Sequence, residues 1–512
     1  MDANSRTSLS IRNVVVALFY FVAAMALQFV SRRVFIDNMG AEVLGLNTTA
    51  TNLLQFLNLA ELGVGAAIGY ALYKPIEAGD RSTISEIIAL QGFIYRRVGW
   101  AVIAGAVVLC CFFPLIFARM DLPLWYAYGT FGALLLSSLL SYFFNYRQVI
   151  MVAEQREYRF KHAYYSVLLV KTSAQIVAVA TADNPYVWWL VIQCAGVIVG
   201  SIVLRLATRH FYPYLFGVKY DHQALRTKYP DVAANTRRLF VHRISEYVLT
   251  QTSPLIIYAF ATLTVVTYYD NYMIVVGGVL ILLQTTLNNL NPGVGNLVAT
   301  GNSDNTRRVF NELFSLCFFI AAFFSILLWF LLQPLVAIWL GSQYVMPRVV
   351  LALILAIFFI NGFRRSIEIF KDAYGLFYDV WAAGTEAVLN LGLSIAGGVI
   401  WGLPGILAGV LISQILIVLG WKSYFVCRRG LRTSPWFFWG AFFRHIPAAI
   451  VAFVALWLVL PAIGINPTAS TGAFIAYAAV AALVVAAVLV VMMLMLTPGM
   501  RLLCNRLKNL LP

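Results

Sequence analysis

The chain has 512 residues, of which 61% are hydrophobic and only 11% are charged. A typical soluble domain has about a quarter of its residues charged, so this composition excludes an ordinary soluble protein and indicates a membrane protein. The net charge of +15 does not point to a nucleic-acid partner, because none of the basic loops is long enough to form a folded nucleic-acid-binding module.

Apolar runs long enough to cross lipid recur along the whole chain. A hydrocarbon core about 30 Å thick needs about 20 apolar residues per helix. By this criterion we predict an all-α membrane protein with about fourteen transmembrane helices. They cover residues 13–31, 43–72, 98–118, 123–146, 163–182, 186–206, 239–261, 264–290, 312–333, 348–363, 380–400, 403–425, 441–462 and 473–496. The first is interpreted as a retained helix and not as a cleaved leader.

The placement of Lys and Arg predicts the orientation, because these residues concentrate in cytoplasmic loops. With the N-terminus inside, about 30 of the 36 Lys and Arg fall in cytoplasmic segments. The others fall on the outer side or within helices, and they are Arg32, Arg33, Arg119, Arg348, Lys171 and Arg243. Both termini and the loop 207–237 are therefore predicted to be cytoplasmic. The basic run KSYFVCRRGLR at 422–432 is assigned to the same side.

One sequence phrase occurs twice, as LNLAELGVG at 57–65 and as LNNLNPGVG at 287–295. The copies are six predicted helices apart, and an even number of crossings preserves orientation. This spacing predicts two six-helix lobes related by a pseudo-twofold axis along the membrane normal, with two additional C-terminal helices. The predicted domains are an N-lobe, a cytoplasmic linker, a C-lobe, and the last two helices with a cytoplasmic tail, at 1–210, 211–237, 238–430 and 431–512.

Polar side chains form stripes on several predicted helices. Gln55 and Asn58 lie on one face of the second helix, Gln251 is on the seventh, and Asn288 is on the eighth. Such stripes hold helices together by hydrogen bonds or line a hydrophilic cavity. Their recurrence in corresponding helices of both halves favours a cavity.

Charged residues inside the predicted helices are the candidates for function. Ionised carboxylates in lipid cost a few kcal/mol, so they must be paired, protonated or in contact with water. Glu61, Glu246 and Glu386 are candidates for coupling to H⁺ or Na⁺. Glu61 and Glu386 are the freer ones, since Glu246 can pair with Arg243, three residues away. Lys171 lies in the middle of its helix and either faces a cavity or forms a salt bridge.

The stretch SRRVFIDNMGAEVLGLNTTATNLLQFLNLAELGVGAAIGYALYKPI, the helix plan and the basic mid-chain loop resemble the polysaccharide (O-antigen, Wzx-like) flippases of the multidrug/oligosaccharidyl-lipid/polysaccharide (MOP) exporter superfamily. The resemblance covers essentially the whole chain. It implies transfer of an undecaprenyl-pyrophosphate-linked oligosaccharide to the outer leaflet of the bacterial inner membrane by alternating access. It also implies a polysaccharide polymerase and glycosyltransferases as partners, and no cofactor or metal.

An anionic pyrophosphate requires cations along its path, which makes Lys171 and Arg243 the leading candidates for binding it. Arg32 and Arg33 are either residues of the cavity mouth or interfacial anchors.

Three alternative functions are considered: a peptidoglycan-precursor (lipid II) flippase, a cation-coupled multidrug exporter, and a membrane glycosyltransferase or polymerase. The first predicted helix has no carboxylate, which disfavours a cationic substrate, and the sequence has no DxD, GxSxG or HExxH motif.

Overall fold

The structure is a computed structural model that describes residues 3–61, 64–154, 158–217, 220–230, 252–376 and 378–510. Three predicted site residues, Arg243, Glu246 and Gln251, lie outside the described residues, as does part of the loop 207–237. The described chain is helical, and it divides into two compact units. Unit 1 comprises Met1–Tyr258 and Thr262–Thr267, and unit 2 comprises Ala259–Ala261 and Tyr268–Pro512.

The first nine helices fall in or at the end of unit 1. They are α1 Ala3–Met39, α2 Ala41–Leu57, α3 Val64–Ala78, α4 Arg81–Cys111, α5 Leu124–Ala153, α6 Tyr158–Thr181, α7 Pro185–Phe211, α8 His222–Lys228 and α9 Ser253–Phe260.

The remaining helices belong wholly or mainly to unit 2. They are α10 Leu263–Asn288, α11 Asn291–Ala299, α12 Ser303–Trp339, α13 Arg348–Phe363, α14 Arg365–Ala373, α15 Val380–Trp401, α16 Leu403–Gly430, α17 Trp436–Ile463, α18 Thr471–Leu496 and α19 Pro498–Leu510.

Eleven helices or continuous helical runs in the described part are long and apolar enough to cross a membrane. Each overlaps one of the predicted spans. The first predicted span lies within α1, and the seventh is largely outside the described residues. The second is interrupted between α2 and α3 by the short 3₁₀ turn Asn58–Glu61. The other copy of the repeated phrase also lies at an interruption, because α10 ends at Asn288 and α11 begins at Asn291.

Helix α4 begins at Arg81, well before the start predicted at residue 98, because its N-terminus is defined by a cap and not by hydropathy. Asp80 accepts hydrogen bonds from the backbone N–H groups of Ser82 and Thr83 at 3.1 and 3.0 Å. Gly79 before it has φ +70°, a left-handed conformation that favours glycine and turns the chain out of α3.

The transmembrane helices α5 and α16 contain π-helical segments. One segment of α16 is Val426–Gly430, and the two that bear on the polar sites are Ser141–Asn145 in α5 and Ile415–Lys422 in α16. The wider i→i+5 turn changes which side chains share a face, and such segments are frequent at functional sites. Both segments carry polar or charged residues described below.

The two units have separate cores. In unit 2, stacked phenylalanines of α12, α13 and α17 pack together, and α17 and α18 add small and aliphatic residues to the same cluster. In unit 1, aliphatic residues of α3 and α4 pack against Tyr142 and Tyr146 of α5. Within unit 2, α15 and α16 meet at backbone distance, since a Cβ on Gly405 would lie 1.9 Å from the carbonyl oxygen of Gly397.

Candidate functional site: a polar cavity in unit 1

Unit 1 contains a partly open polar cavity of about 690 Å³. Its wall is formed by the interruption between α2 and α3 and by parts of α5, α6 and α7. The polar side chains of the wall are Asn58, Glu61, Ser137, Ser138, Ser141, Tyr142, Asn145, Gln148, Tyr164, Tyr165, Lys171, Gln193 and Ser201. A wall with this many hydrogen-bonding groups suits a hydrated, polar ligand and does not suit an acyl chain.

The interruption between α2 and α3 brings Asn58 and Glu61 into this wall, where hydroxyl groups of neighbouring helices hold them. Asn58 Nδ2 donates to Ser138 Oγ at 3.1 Å, and Tyr142 OH donates to Asn58 Oδ1 at 2.9 Å. Tyr95 OH donates to Glu61 Oε1 at 2.7 Å. The π-helical segment of α5 supplies Tyr142, so both irregular backbone segments contribute to one hydrogen-bonded corner.

Lys171 is half-buried in the same wall, and its only polar partner among the described residues is neutral. Its Nζ donates to Gln193 Oε1 at 2.9 Å, and Gln175 Nε2 donates to the same oxygen at 3.2 Å. Within the described part of the chain, no carboxylate lies at ion-pair distance from Lys171. The predicted alternative of a salt bridge is therefore not seen among the described residues, and none of their carboxylates neutralises the positive charge of Lys171.

A glycine makes room for the Lys171 side chain. A Cβ added at Gly196 of α7 would lie 2.4 Å from Lys171 Cγ and 2.6 Å from its Cδ. Real Cβ atoms do not approach carbon this closely, so any side chain at 196 would force Lys171 into another rotamer. The aliphatic stem of Lys171 thus lies across Gly196, and its ammonium group reaches Gln193.

The other predicted site residues lie elsewhere. Arg32 is buried and donates to the carbonyl oxygen of Thr267 at 3.4 Å. Arg33 forms an exposed ion pair with Asp37 at 2.6 Å. Gln55 does not line the cavity, and its buried Oε1 accepts no hydrogen bond from the described residues.

Asn288 and Glu386 lie in unit 2, where they belong to one chain of polar contacts. Asn288 Oδ1 accepts a hydrogen bond from Arg365, which also pairs with Glu368 at 2.7 Å. Glu368 pairs with Arg364 at 2.7 Å. Arg364 is 3.8 Å from Glu386, which pairs with Lys422 at 2.9 Å. Glu386 and Lys422 are 0% and 7% exposed, so this cluster is a buried and largely neutralised charge network.

Lys422 was counted with the basic run 422–432 of the cytoplasmic side, but its side chain is buried in the structure. The residue lies at the end of the π-helical segment of α16, inside the protein. One signal could have identified it. The predicted span 403–425 contains Lys422, and the preceding span contains Glu386, so two consecutive helices carry opposite charges.

Gln193 was also missed, although it is a single amide in the apolar span 186–206. Tyr95 and Tyr142 could not have been recognised in advance, because a tyrosine in a transmembrane helix gives no sequence signal for its hydrogen-bond partner.

No protein-family model matches the sequence, and no curated protein matches it significantly. Several solved structures share its fold. The lipid II flippase MurJ, in an inward closed conformation, has a TM-score of 0.62 at 12% identity, covering 94% of this chain and 98% of that chain.

Two multidrug transporters are also similar. An inward-facing multidrug resistance MATE family transporter of the MOP superfamily has a TM-score of 0.53 at 14% identity, covering 78% of this chain and 93% of that chain. A mutant of the Vibrio cholerae MATE transporter VcmN has a TM-score of 0.53 at 14% identity, covering 85% of this chain and 100% of that chain. The chain therefore shares its fold with the lipid II flippase MurJ and with these MATE transporters, and identities this low establish the fold alone.

Proposed function

We propose that this protein is a flippase that moves an undecaprenyl-pyrophosphate-linked oligosaccharide from the cytoplasmic to the outer leaflet, for the synthesis of a surface polysaccharide. The observation that carries the proposal is Lys171, a cation in the wall of a polar cavity with only a neutral partner, Gln193, among the described residues. A cation within a membrane helix costs about 2.5–3.5 kcal/mol. An anionic substrate group would offset this cost each time it binds.

The position of the cavity along its helices supports the direction of transport. The wall uses residues 137–152 of α5, 164–171 of α6 and 193–204 of α7. With both termini cytoplasmic, as predicted, these halves of the helices face the cytoplasm. A headgroup taken from the cytoplasmic leaflet would meet this cavity first. The saccharide would bind the Asn, Ser and Gln side chains, and the polyprenyl tail would stay in lipid.

A second candidate is a peptidoglycan-precursor flippase, and the similarity to lipid II flippase MurJ over 94% of this chain favours it. Both substrates are saccharides on a polyprenyl pyrophosphate, so the chemistry of the cavity supports them equally. A third candidate, a cation-coupled multidrug exporter, is favoured by the MATE structures. It fits the cavity less well, because a cationic drug would be repelled by Lys171.

The lobe arrangement, the transport mechanism and the partners are proposed on the basis of the amino-acid sequence. We propose two six-helix lobes with two additional C-terminal helices, and transport by alternating access in the bacterial inner membrane. A polysaccharide polymerase and glycosyltransferases would be the partners. For coupling to H⁺ or Na⁺ we favour Glu61, which lines the cavity. Glu386 is the weaker candidate because it is already paired with Lys422.

Reconstituted liposomes test the substrate class. The purified chain should translocate a fluorescent polyprenyl-pyrophosphate saccharide, and it should not export cationic dyes. Genetic complementation separates the first two candidates: rescue of a strain that lacks its O-antigen flippase supports the surface polysaccharide, whereas rescue of a strain depleted of its lipid II flippase supports the precursor. Dye export with no lipid transfer would refute both.

A further inference from the structure

A second polar pocket lies in unit 2, and none of its residues lines the cavity in unit 1. Its volume is about 160 Å³, and it lies where the cytoplasmic-side parts of α12 and α17 meet the start of α19. Its wall includes Asn311, Ser315, Trp436, Arg444, His445 and Gly499. The transport function proposed above does not use them.

Arg444 is the charged group of this pocket, and it has no hydrogen-bond or ion-pair partner in the part of the chain that the structure describes. Neighbouring arginines on the same surface are paired. Arg308 and Arg506 both contact Glu312, at 3.7 and 3.1 Å. Glu312 is therefore already shared by two cations, and among the described residues the Arg444 guanidinium remains available to an external anion.

Part of the pocket wall is held in place by contacts within the protein. His445 is buried, and its Nδ1 donates to the carbonyl oxygen of Ala441 at 2.7 Å. With that nitrogen protonated, Nε2 of the neutral ring accepts from Ser315 Oγ at 2.9 Å. Gly499 packs so closely that an added Cβ would lie 2.2 Å from the carbonyl oxygen of Asn311. The amide group of Asn311 makes no hydrogen bond among the described residues and can donate to a bound anion.

The surrounding residues place the pocket at the level of the lipid headgroups. Trp436, 73% exposed, begins α17, and tryptophan is typical of the membrane–water interface. Arg444 is eight residues further, about 12 Å along the helix. The 18 residues after His445, Ile446 to Ile463, are apolar and, at about 1.5 Å per residue, are nearly long enough to cross the hydrocarbon core by themselves.

We infer that this pocket binds the phosphate of an anionic phospholipid headgroup, with Arg444 and Asn311 as the groups that hold it. The chemistry matches, because a guanidinium donates two parallel hydrogen bonds to phosphate oxygens. A free phosphate ester has the same chemistry, but a pocket at the membrane interface is supplied with lipid phosphate at far higher local concentration.

Native mass spectrometry of the full chain in neutral detergent tests the inference, by counting retained lipids after addition of phosphatidylglycerol or phosphatidylcholine. Phosphatidylglycerol should be retained preferentially. Arg444→Gln should lower its retention about tenfold, the effect of one charge-assisted contact. Arg428→Gln removes an equal charge from an exposed position outside the pocket and should leave retention unchanged. Gly440→Leu, which places a side chain in the pocket while keeping Arg444, should lower retention as Arg444→Gln does.

Three results would overturn the inference. Equal retention by the wild type and Arg444→Gln would show that the pocket binds no phosphate. Equal losses in Arg444→Gln and Arg428→Gln would show a general effect of surface charge. Glycerol phosphate binding as tightly as phosphatidylglycerol would assign the pocket to a soluble phosphate ester.

Discussion

The helix pair α6–α7 in unit 1 and the pair α15–α16 in unit 2 occupy the fifth and sixth positions of the predicted repeat, and each carries a lysine. Lys171 of α6 contacts a neutral amide on α7, whereas Lys422 of α16 contacts Glu386 on α15. A completed buried pair is costly to disrupt and leaves no charge for a ligand. A cation without a paired anion is also costly inside the membrane, but its charge remains available to a ligand. This difference supports the proposal that unit 1 recognises the charge of the substrate, whereas the network in unit 2 stabilises the fold.

The largest effect should come from removing the positive charge of Lys171. Lys171→Ala should abolish export of the lipid-linked glycan while the protein remains in the membrane at near-normal abundance, because Lys171 contributes no ion pair in the described structure. Lys171→Arg should retain part of the activity. Glycan export and membrane abundance are measured side by side, with Lys74→Ala, an exposed cation outside the cavity, as the matched control. Normal glycan export by Lys171→Ala would show that transport does not need the charge of Lys171, and the contrast with Lys422 would then have no functional meaning.

Removing the charge of Glu386, which is paired with Lys422, should instead lower the stability of the protein. Glu386→Gln leaves Lys422 buried without its closest anion, so the free energy of unfolding should fall by about 3–5 kcal/mol. Thermal unfolding in detergent measures this loss. The double variant Glu386→Gln, Lys422→Gln should recover much of it, because neither charge then remains unpaired. A single variant as stable as the wild type would show that the neighbouring carboxylate Glu368 compensates Lys422 fully.

A smaller effect is expected from crowding Lys171 without changing its charge. Gly196→Ala should cost about 1–3 kcal/mol of stability, as overpacked cores do, and it should lower glycan export because the ammonium group moves away from Gln193. Gly132→Ala on α5 is the control, since its added Cβ would have no atom within 4 Å. If the two alanine variants behaved alike, the Lys171 stem would not depend on Gly196.

The smallest effect should follow from loosening the corner of the cavity. Tyr142→Phe removes the hydroxyl group that donates to Asn58 Oδ1 and should cost about 0.6–1 kcal/mol, the range for one hydrogen bond between membrane helices. Urea or thermal unfolding of the purified protein resolves such a change. A loss larger than that of Gly196→Ala would mean that Asn58 organises much more of unit 1 than its two hydrogen bonds indicate.

Hydropathy located every span that the described structure supports, because a length of about 20 apolar residues is a direct consequence of the bilayer. The repeated phrase at 57–65 and 287–295 indicated corresponding positions, and both copies lie at helix interruptions. Hydropathy did not locate the start of α4, since Asp80 determines it through backbone hydrogen bonds. A local cap can extend a helix far beyond its apolar part.

The candidate site was only partly predictable. Lys171 stands out in the sequence because the bilayer penalises a lone cation in the middle of a span. Lys422 did not stand out by its own position, because a lysine near the end of a span looks the same whether it reaches water or turns inward, and only the opposite charge of Glu386 in the preceding span marks it. The choice between these depends on side-chain direction after a π-helical segment, which shifts the helical register in a way that no regular periodicity reveals.

Gly196 also has a consequence for the evolution of the sequence. Because the stem of Lys171 occupies the space where a side chain at 196 would be, the two positions are not free to vary independently. A homologue that gained alanine or a larger residue at 196 would retain a well-packed α6–α7 interface only with a shorter residue at 171, and it would then lose the cation. Across relatives of this chain, glycine at 196 should therefore accompany a long basic residue at 171, and the pair should be gained or lost together.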